Sequence, residues 1–566
     1  QQDAAAGRVP FRDAVILSAA SGFLVFACEV VFVHLLALVI GTSVYAFGLM
    51  LAIFLVCLSL GTPLATRLAL RFGPAATATS CALTGIALVS SLVLWDKLPG
   101  LFVALGPVVR SWGMRELTRA TAAAVLLSAP VIAMGTTFPL VLRAARSSRV
   151  GADVGRLTVA NTLGAVTGSI ATGFLLLPRL GSQRSLIGIA LAYLAMAALA
   201  RRYALSTEVR TATKLLVAGL VLAIGIPRWD LSRLTSGANV YFNEGVVPQG
   251  VVESVREDVQ GGVTTVVRAP DGERTLLTNG KFEGNDGHEV LDNRGFVHLP
   301  VVFAEKRKRA MVIGLGTGTS AGTLGAYDFE HIDIVELAPA IVDAARRIFG
   351  SVNHHVLDDP RARVLLEDGR NVLLVGRDDY DVISIEVSSI WFAGCANLYN
   401  EEFYWLASKR LAKGGVLQQW FQLHHTNRQI VTTEIATLRK VFPHVLVAVS
   451  GHQGQILASQ TPFKVSRDAL VDLENVGSVR RTLENRHLVD YVKGVLMDES
   501  GVDAFIQDTR DRLHLSSADL VSTDDNLFLE YATPRMNVPS ADDIADTLEY
   551  LRSYRTRETL PKIIQP

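Results

Sequence analysis

Met311-Val-Ile-Gly-Leu-Gly-Thr-Gly318 is an apolar run entering three alternate glycines, and Ile332-Asp-Ile-Val-Glu336 is a second apolar run that ends in an acid. A buried parallel strand leading into a glycine turn lets the backbone approach a ligand closely, and an acid closing the next strand is placed to hold ribose hydroxyls. The glycine pattern alone is a weak signal in a chain with 46 glycines. Glu336 at the right separation, and Asp368-Gly369 after a third apolar run, make it a nucleotide site.

Around this stretch, Ala310 to Ile313, Ile332 to Val335, Val364 to Leu366, Val382 to Ile385 and Val416 to Gln418 read as short strands separated by helical segments. That alternation predicts a doubly wound parallel sheet over 306–460. Just upstream, 248–280 alternates in strand fashion, with Gly261-Gly262 and Asp271-Gly272 as turn signals, and predicts an antiparallel hairpin cap within 229–305. Residues 461–566 read as mostly helical.

The first 228 residues belong to a different solvent. Apolar stretches near 13–40, 43–66, 74–95, 117–142, 154–178, 184–200 and 212–227, with a shorter one at 98–109, predict seven or eight helical crossings. A crossing needs about 20 apolar residues. The expected fold is therefore an α-helical polytopic membrane domain over 1–228, a small β-rich segment, an α/β Rossmann-like domain and a helical C-terminal region. Arg67, Arg71, Arg143, Arg146, Arg149, Arg201 and Arg202 favour a cytoplasmic N-terminus. Seven crossings would then put the soluble half outside, whereas a nucleotide ligand favours the cytoplasm, so either 98–109 crosses as well or one of the seven stretches does not.

Lys plus Arg and Asp plus Glu are 54 each, which removes the basic field that recruits nucleic acid. Of four cysteines, Cys28, Cys57 and Cys81 lie in apolar stretches, without the spacing of a disulfide framework or zinc site. His354-His355 and His424-His425 are adjacent pairs, not the spacing that places two imidazoles on one helical face, so no metal is expected. Glu29 inside the first crossing is a functional candidate by its cost there, with His34 only a loose partner, while Gly164 and Gly168 read as close helix packing.

Several stretches, in order, resemble the spermidine synthase (polyamine aminopropyltransferase) family, and in particular its membrane-fused branch. They are Gly314-Leu-Gly-Thr-Gly318, Glu336, Asp358-Asp-Pro-Arg361, Asp368-Gly-Arg370, Tyr380-Asp-Val-Ile383, Leu398-Tyr-Asn-Glu-Glu-Phe-Tyr404 and Gly414-Gly-Val-Leu417. Asn161-Thr-Leu-Gly164, Gly168, Gly173-Phe174, Ser21-Gly22 and Glu29 are similar to the membrane half of that branch. The resemblance implies S-adenosylmethionine or its decarboxylated form as donor. Gly314, Gly316, Thr317 and Gly318 would lie against it, Glu336 on its ribose, and Asp368 and Gly369 at its adenine.

The departures from the family are as informative. Where soluble members have Asp-Ser-Ser-Asp, this chain has Glu386-Val-Ser-Ser389, so Glu386 keeps the first acid and Ser389 stands where the proton-accepting acid does. Those two are the catalytic candidates, although a serine hydroxyl does not accept a proton near neutral pH. Thr317 replaces an acid of the glycine turn, and Ser450-Gly-His-Gln-Gly-Gln455 replaces a polyamine-recognising Pro-Thr-Tyr-Pro stretch. Asp286, Glu289 and Asp292 are the replacement acids expected near the acceptor, with Tyr399, Trp391 and Trp420 lining the pocket, and Ser522-Thr-Asp-Asp-Asn526 is an expected supporting motif.

The leading expectation is a membrane-bound transferase, its soluble domain cytoplasmic, that moves an aminopropyl-type group from such a donor to a small or membrane-associated amine. A methyltransferase or lyase on the same cofactor, and a non-catalytic membrane sensor or transporter, are the alternatives. The expected partners are the lipid bilayer and the acceptor, a homodimer is left open, and nucleic acid is not expected.

Overall fold

Long apolar stretches fold as helices because each satisfies its own backbone hydrogen bonds. The computed structural model describes residues 9–145, 150–204, 206–243, 250–258, 262–388 and 390–565. The helices are α1 (Phe11–Ile40), α2 (Val44–Phe72), α3 (Ala76–Ser91), α4 (Leu98–Leu105), α5 (Trp112–Ala144), α6 (Val150–Ala171), α7 (Leu177–Ala200) and α8 (Ser206–Ile224), with one-turn helices α9 (Leu231–Leu234) and α10 (Ala238–Tyr241). They lie in a unit made of Gln1–Val109, Gly113–Pro248 and Val255–Val263. Among the described residues, four helical runs are long and apolar enough to cross a membrane: Phe11–Ile40, Val44–Leu105, Trp112–Ala144 and Gly151–Tyr203. The count differs from seven or eight because two of these runs, 62 and 53 residues long, hold more than one helix, and because the stretch expected at 212–227 falls in α8, outside all four runs. The suspected extra crossing at 98–109 is corrected: α4 has eight residues, about 12 Å of helix against about 30 Å of hydrocarbon.

Gly22, Gly164 and Gly168 set how closely α1 approaches α6. A Cβ on Gly164 would collide with the carbonyl oxygen of Ala19, one on Gly168 with that of Phe23, and one on Gly22 with that of Asn161. Gly164→Val is therefore expected to cost about 1–3 kcal/mol and lower the thermal midpoint in detergent; an unchanged midpoint contradicts the packing. His34 does not turn to Glu29, which is half-buried on the same helix. Its Nε2 lies 3.2 Å from the Glu257 carboxylate, which also accepts from the Ser182 backbone N–H at 2.9 Å.

The second unit comprises Arg110–Trp112, Gln249–Ser254 and Thr264–Pro566. Strands β1 (Val251–Asp258), β2 (Gly262–Arg268), β3 (Arg274–Thr278) and β4 (Lys281–Asn285) form a sheet in sequence order. After α11 (Val290–Phe303) come β5 (Arg309–Ile313), α12 (Thr319–Gly325), β6 (His331–Glu336), α13 (Pro339–Arg347) and the single turn α14 (Gly350–Asn353). Then follow β7 (Ala362–Leu366), α15 (Gly369–Val375), β8 (Tyr380–Ile385), α16 (Glu401–Arg410), β9 (Leu411–Phe421), α17 (Arg428–Val441), β10 (His444–Ser450) and β11 (Gln453–Ser459). Short β12 (Val465–Ser466), β13 (Val495–Met497) and β14 (Ile564–Gln565) lie further on.

The large sheet has the order β13-β10-β11-β9-β8-β5-β6-β7. From β9 to β7 it is parallel, while β11, β10 and β13 extend it antiparallel. Residues 461–566 thus supply β13 to the sheet as well as helices. Residues of β5 alternate between two cores, Ala310 and Val312 in one, Met311 and Ile313 in the other, as a strand covered on both faces requires. The chain leaves β5 for β6 on one side while β8 lies on the other. The ends of β5, β6 and β8 therefore meet at the switch point where open α/β sheets leave a crevice for ligands.

Candidate active site

Gly314, Gly316 and Gly318 have φ of +94°, +52° and +83°, a region that favours glycine, so the turn after β5 needs all three. The Gly314 N–H donates to the Val335 carbonyl at 2.9 Å, and a Cβ on Gly314 would lie 3.3 Å from the Glu386 carbonyl group. The turn and the end of β8 are therefore in contact. Thr317, 4% exposed, shares a 2.9 Å hydroxyl contact with Thr319, and its carbonyl accepts from Asn353 Nδ2 at 3.0 Å. Strand β4 runs alongside: a Cβ on Gly316 would be 3.6 Å from the Glu283 carbonyl, and one on Gly284 3.2 Å from the Thr317 methyl.

Glu336 closes β6. One carboxylate oxygen accepts the Leu315 N–H at 2.9 Å and the other the Ala338 N–H at 2.9 Å. Burial raises its pKa and these two hydrogen bonds oppose the shift. Two carboxylate oxygens have about four lone-pair sites, so capacity for ribose hydroxyls is left. Asp368 caps α15, its Oδ1 accepting from Arg370 N at 2.8 Å and Asn371 N at 3.1 Å. Gly369 is obligatory by space, as a Cβ there would lie 2.5 Å from Ile313 Cγ2. The 522–526 stretch supports this corner: the Asp524 carboxylate pairs with the Arg370 guanidinium and accepts from Asn400 Nδ2 at 3.1 Å.

Glu386 follows β8. Its backbone N–H donates to the Ile313 carbonyl at 2.9 Å, which fixes the chain at the crevice. Oε2 accepts from the Ser320 hydroxyl at 2.5 Å and Oε1 lies 2.8 Å from the Ser384 hydroxyl. Burial pushes the carboxyl up to about 7, with the two serine hydrogen bonds acting the other way. A carboxyl in that range is half ionised near neutral pH, where a general base works best. Ser389, the second catalytic candidate, lies outside the described residues.

The acids expected to serve an acceptor divide. Asp286 is engaged elsewhere, accepting from the Arg274 backbone N–H at 2.6 Å and pairing with its guanidinium at 3.4 Å. Asp292 pairs with Arg486 at 2.8 Å. Glu289, half-buried, has its pKa raised by burial. Tyr399 is not a pocket wall with a free hydroxyl: it is fully buried, its O–H lying 3.0 Å from both the Val387 and Trp420 carbonyls. Trp420, 6% exposed, donates its indole N–H to Gln453 at 2.8 Å, and Trp391 stacks edge-on against Phe392.

Three groups here escape a sequence reading. The Lys281 ammonium, buried on β4, donates to the Ser388 carbonyl and hydroxyl at 2.8 and 2.7 Å and lies 3.5 Å from Glu283, while Ser388 donates to Glu283 at 2.9 Å. Burial lowers the Lys281 pKa and Glu283 opposes it. The spacing of Lys281 and Glu283, two apart on a strand, does put them on one face. Ser320, and Ser384 with Gln418, have no such signal, as they read as a helix residue and strand interior.

A parallel sheet with a glycine turn at its switch point, and acids closing the neighbouring strands, defines a Rossmann-like domain of the nucleotide-binding class. Its sequence is more specific: residues 289–451 match the spermine/spermidine synthase domain family. The chain carries a spermine/spermidine synthase domain in its C-terminal half, behind an N-terminal helical region. The polyamine aminopropyltransferase of Corynebacterium efficiens is 30% identical over 301 residues, 50% of this chain and 56% of that protein. That of Mycobacterium tuberculosis is 28% identical over 351 residues, 58% of this chain and 65% of that protein. The matches thus span between about half and two thirds of these relatives. Among solved structures, spermidine synthase from Thermotoga maritima is 20% identical with a TM-score of 0.37, covering 45% of this chain and 87% of that one. Human methyltransferase-like protein 13 in complex with SAH is also 20% identical, with a TM-score of 0.27, covering 35% of this chain and 91% of that one.

Proposed function

We propose that the chain is a membrane-bound aminopropyltransferase that uses decarboxylated S-adenosylmethionine as donor and a small amine as acceptor. The observation that carries this reading is Glu386, a half-buried carboxyl raised to about 7 at the crevice beside the glycine turn. In the reaction the amine nitrogen lone pair attacks the aminopropyl carbon next to sulfur. The carbon–sulfur bond breaks, its electron pair returns to sulfur, and the products are methylthioadenosine and an alkylated ammonium whose proton passes to Glu386. Gly314, Gly316 and Gly318 admit the donor against the backbone, Glu336 holds its ribose, and Asp368 with Gly369 bounds the adenine. Holding both reactants in line accounts for much of the rate, because a sulfonium needs only an oriented nucleophile.

The polyamine aminopropyltransferases similar to this chain support the donor class. The four apolar helical runs support insertion in a bacterial-type inner membrane, with the transferase domain on the cytoplasmic side where nucleotides are made. Titrating the protein in lipid with decarboxylated S-adenosylmethionine should give saturable binding that methylthioadenosine competes away; no binding contradicts the proposal. The rate should rise with pH through about 7 and level off above, since the carboxyl accepts a proton only when ionised. A rate flat from about pH 5 to 8 would remove Glu386 from the proton-accepting role.

A further inference from the structure

Behind Glu386 lies a hydrogen-bond arrangement with one proton too few. Ser384 and Gln418 are opposite each other on the adjacent parallel strands β8 and β9, and both are completely buried. The Ser384 hydroxyl oxygen lies 2.8 Å from Glu386 Oε1 and 2.6 Å from Gln418 Oε1, and it has a single proton to give. The Gln418 Nε2 group is buried with no partner among the described residues. On the same face, Val382, Val416 and Leu457 are apolar core and the buried Gln455 of β11 lies diagonally across from Gln418, a setting where unmade hydrogen bonds cost about 1–3 kcal/mol.

Both close contacts can be met in only two ways. If Ser384 donates to Gln418 Oε1, its oxygen can only accept from Glu386, whose carboxyl must then carry the proton. If Glu386 is ionised, Ser384 donates to it, and Gln418 must turn its amide by 180° to present Nε2. That turn also gives the orphan N–H group an acceptor. Amide orientation is decided by such networks, and the two forms exchange oxygen for nitrogen with the side chain's shape preserved.

We propose that Ser384 and Gln418 are positioning residues, a two-state relay that holds the Glu386 carboxyl in one place in both its protonated and its ionised forms. This rests on Glu386 being the base. In turnover the amine proton arrives on Glu386 Oε1 and neutralises the carboxylate, the Ser384 O–H swings from Glu386 to Gln418, and the amide reverses; the proton stays on Glu386 and none passes along the relay. Ser320 of α12 keeps the other oxygen throughout. Apart from Glu289, the charged groups on the surrounding elements that face this site are engaged by neighbours. Glu336 accepts from the Leu315 and Ala338 N–H groups, Lys281 and Glu283 of β4 are joined through Ser388, and Asp292 of α11 pairs with Arg486. Glu289, just before α11, has its own carboxyl raised by burial.

The test compares Ser384→Ala, Ser384→Thr and Gln418→Met with the full chain in lipid. With decarboxylated S-adenosylmethionine and a diamine, Ser384→Ala and Gln418→Met should lower kcat by about 10- to 100-fold with donor KM within about 2-fold. Their acidic limb should move to higher pH, because the ionised carboxyl loses its donor or that donor's support, and Ser384→Thr should restore both. Independently of turnover, the infrared carboxyl band that titrates in the parent chain and vanishes in Glu386→Gln should shift its midpoint in Ser384→Ala and Gln418→Met. Donor-binding isotherms show that each variant is folded. An unmoved band and limb overturn the relay while leaving the base assignment standing. Full turnover in Glu386→Gln overturns the base assignment instead, and the infrared band still reads the relay.

Discussion

Replacing Glu386 by Gln is expected to lower kcat by about 10²- to 10⁴-fold while leaving the affinity for decarboxylated S-adenosylmethionine within a few-fold. The change keeps the shape and both serine contacts, since an amide also accepts from Ser320 at one end and meets Ser384 at the other. What it removes is the basic lone pair that would take the proton in the proposed reaction. A loss confined to kcat, with binding preserved, is the signature of an interaction made only as the reaction proceeds. Stopped-flow single turnovers, which separate binding from chemistry, measure it. A fully active variant would remove Glu386 from the mechanism and pass the role to another group, with the buried Lys281 beside Ser388 next in place.

Replacing Glu336 by Ala should act on the other half of the cycle, weakening donor binding by about 100-fold or more. One carboxylate has two jobs in this account. It accepts the Leu315 and Ala338 N–H groups, which shape the turns after β5 and β6, and in the proposed complex it would present its remaining lone pairs to the ribose. Without it two buried donors lose their acceptor, at about 1–3 kcal/mol each, and a charge-assisted contact to the ligand worth about 1.5–3 kcal/mol disappears. The thermal midpoint should fall as well. Calorimetric titration with the donor and a melting curve measure the two effects, and unchanged binding would detach Glu336 from the ligand.

Much of this site is legible in the sequence because its parts are local. The glycines of 314–318 and the acid ending β6 follow from backbone needs at the end of a buried strand, and Asp368-Gly369 from their place after a third apolar run. Gly164 and Gly168 were likewise readable as close helix contacts. What the sequence conceals depends on register between distant segments. Ser384 meets Gln418 across 34 residues and Arg370 meets Asp524 across 154. Asp286 and Asp292 illustrate the reverse: as bare acids near an expected pocket they look available, and only the fold supplies Arg274 and Arg486 to occupy them. The helical half is legible in hydropathy, but a count of apolar stretches cannot tell an eight-residue helix such as α4 from a crossing.

The most direct test of the transferase reading is the product spectrum. Purified protein in lipid, given decarboxylated S-adenosylmethionine and a panel of diamines, should yield methylthioadenosine together with an amine heavier by one aminopropyl group, as resolved by mass spectrometry. Adenosylhomocysteine from S-adenosylmethionine, methylthioadenosine without an extended amine, or saturable donor binding with no product would each contradict it, pointing respectively to methyl transfer, a lyase or a sensor.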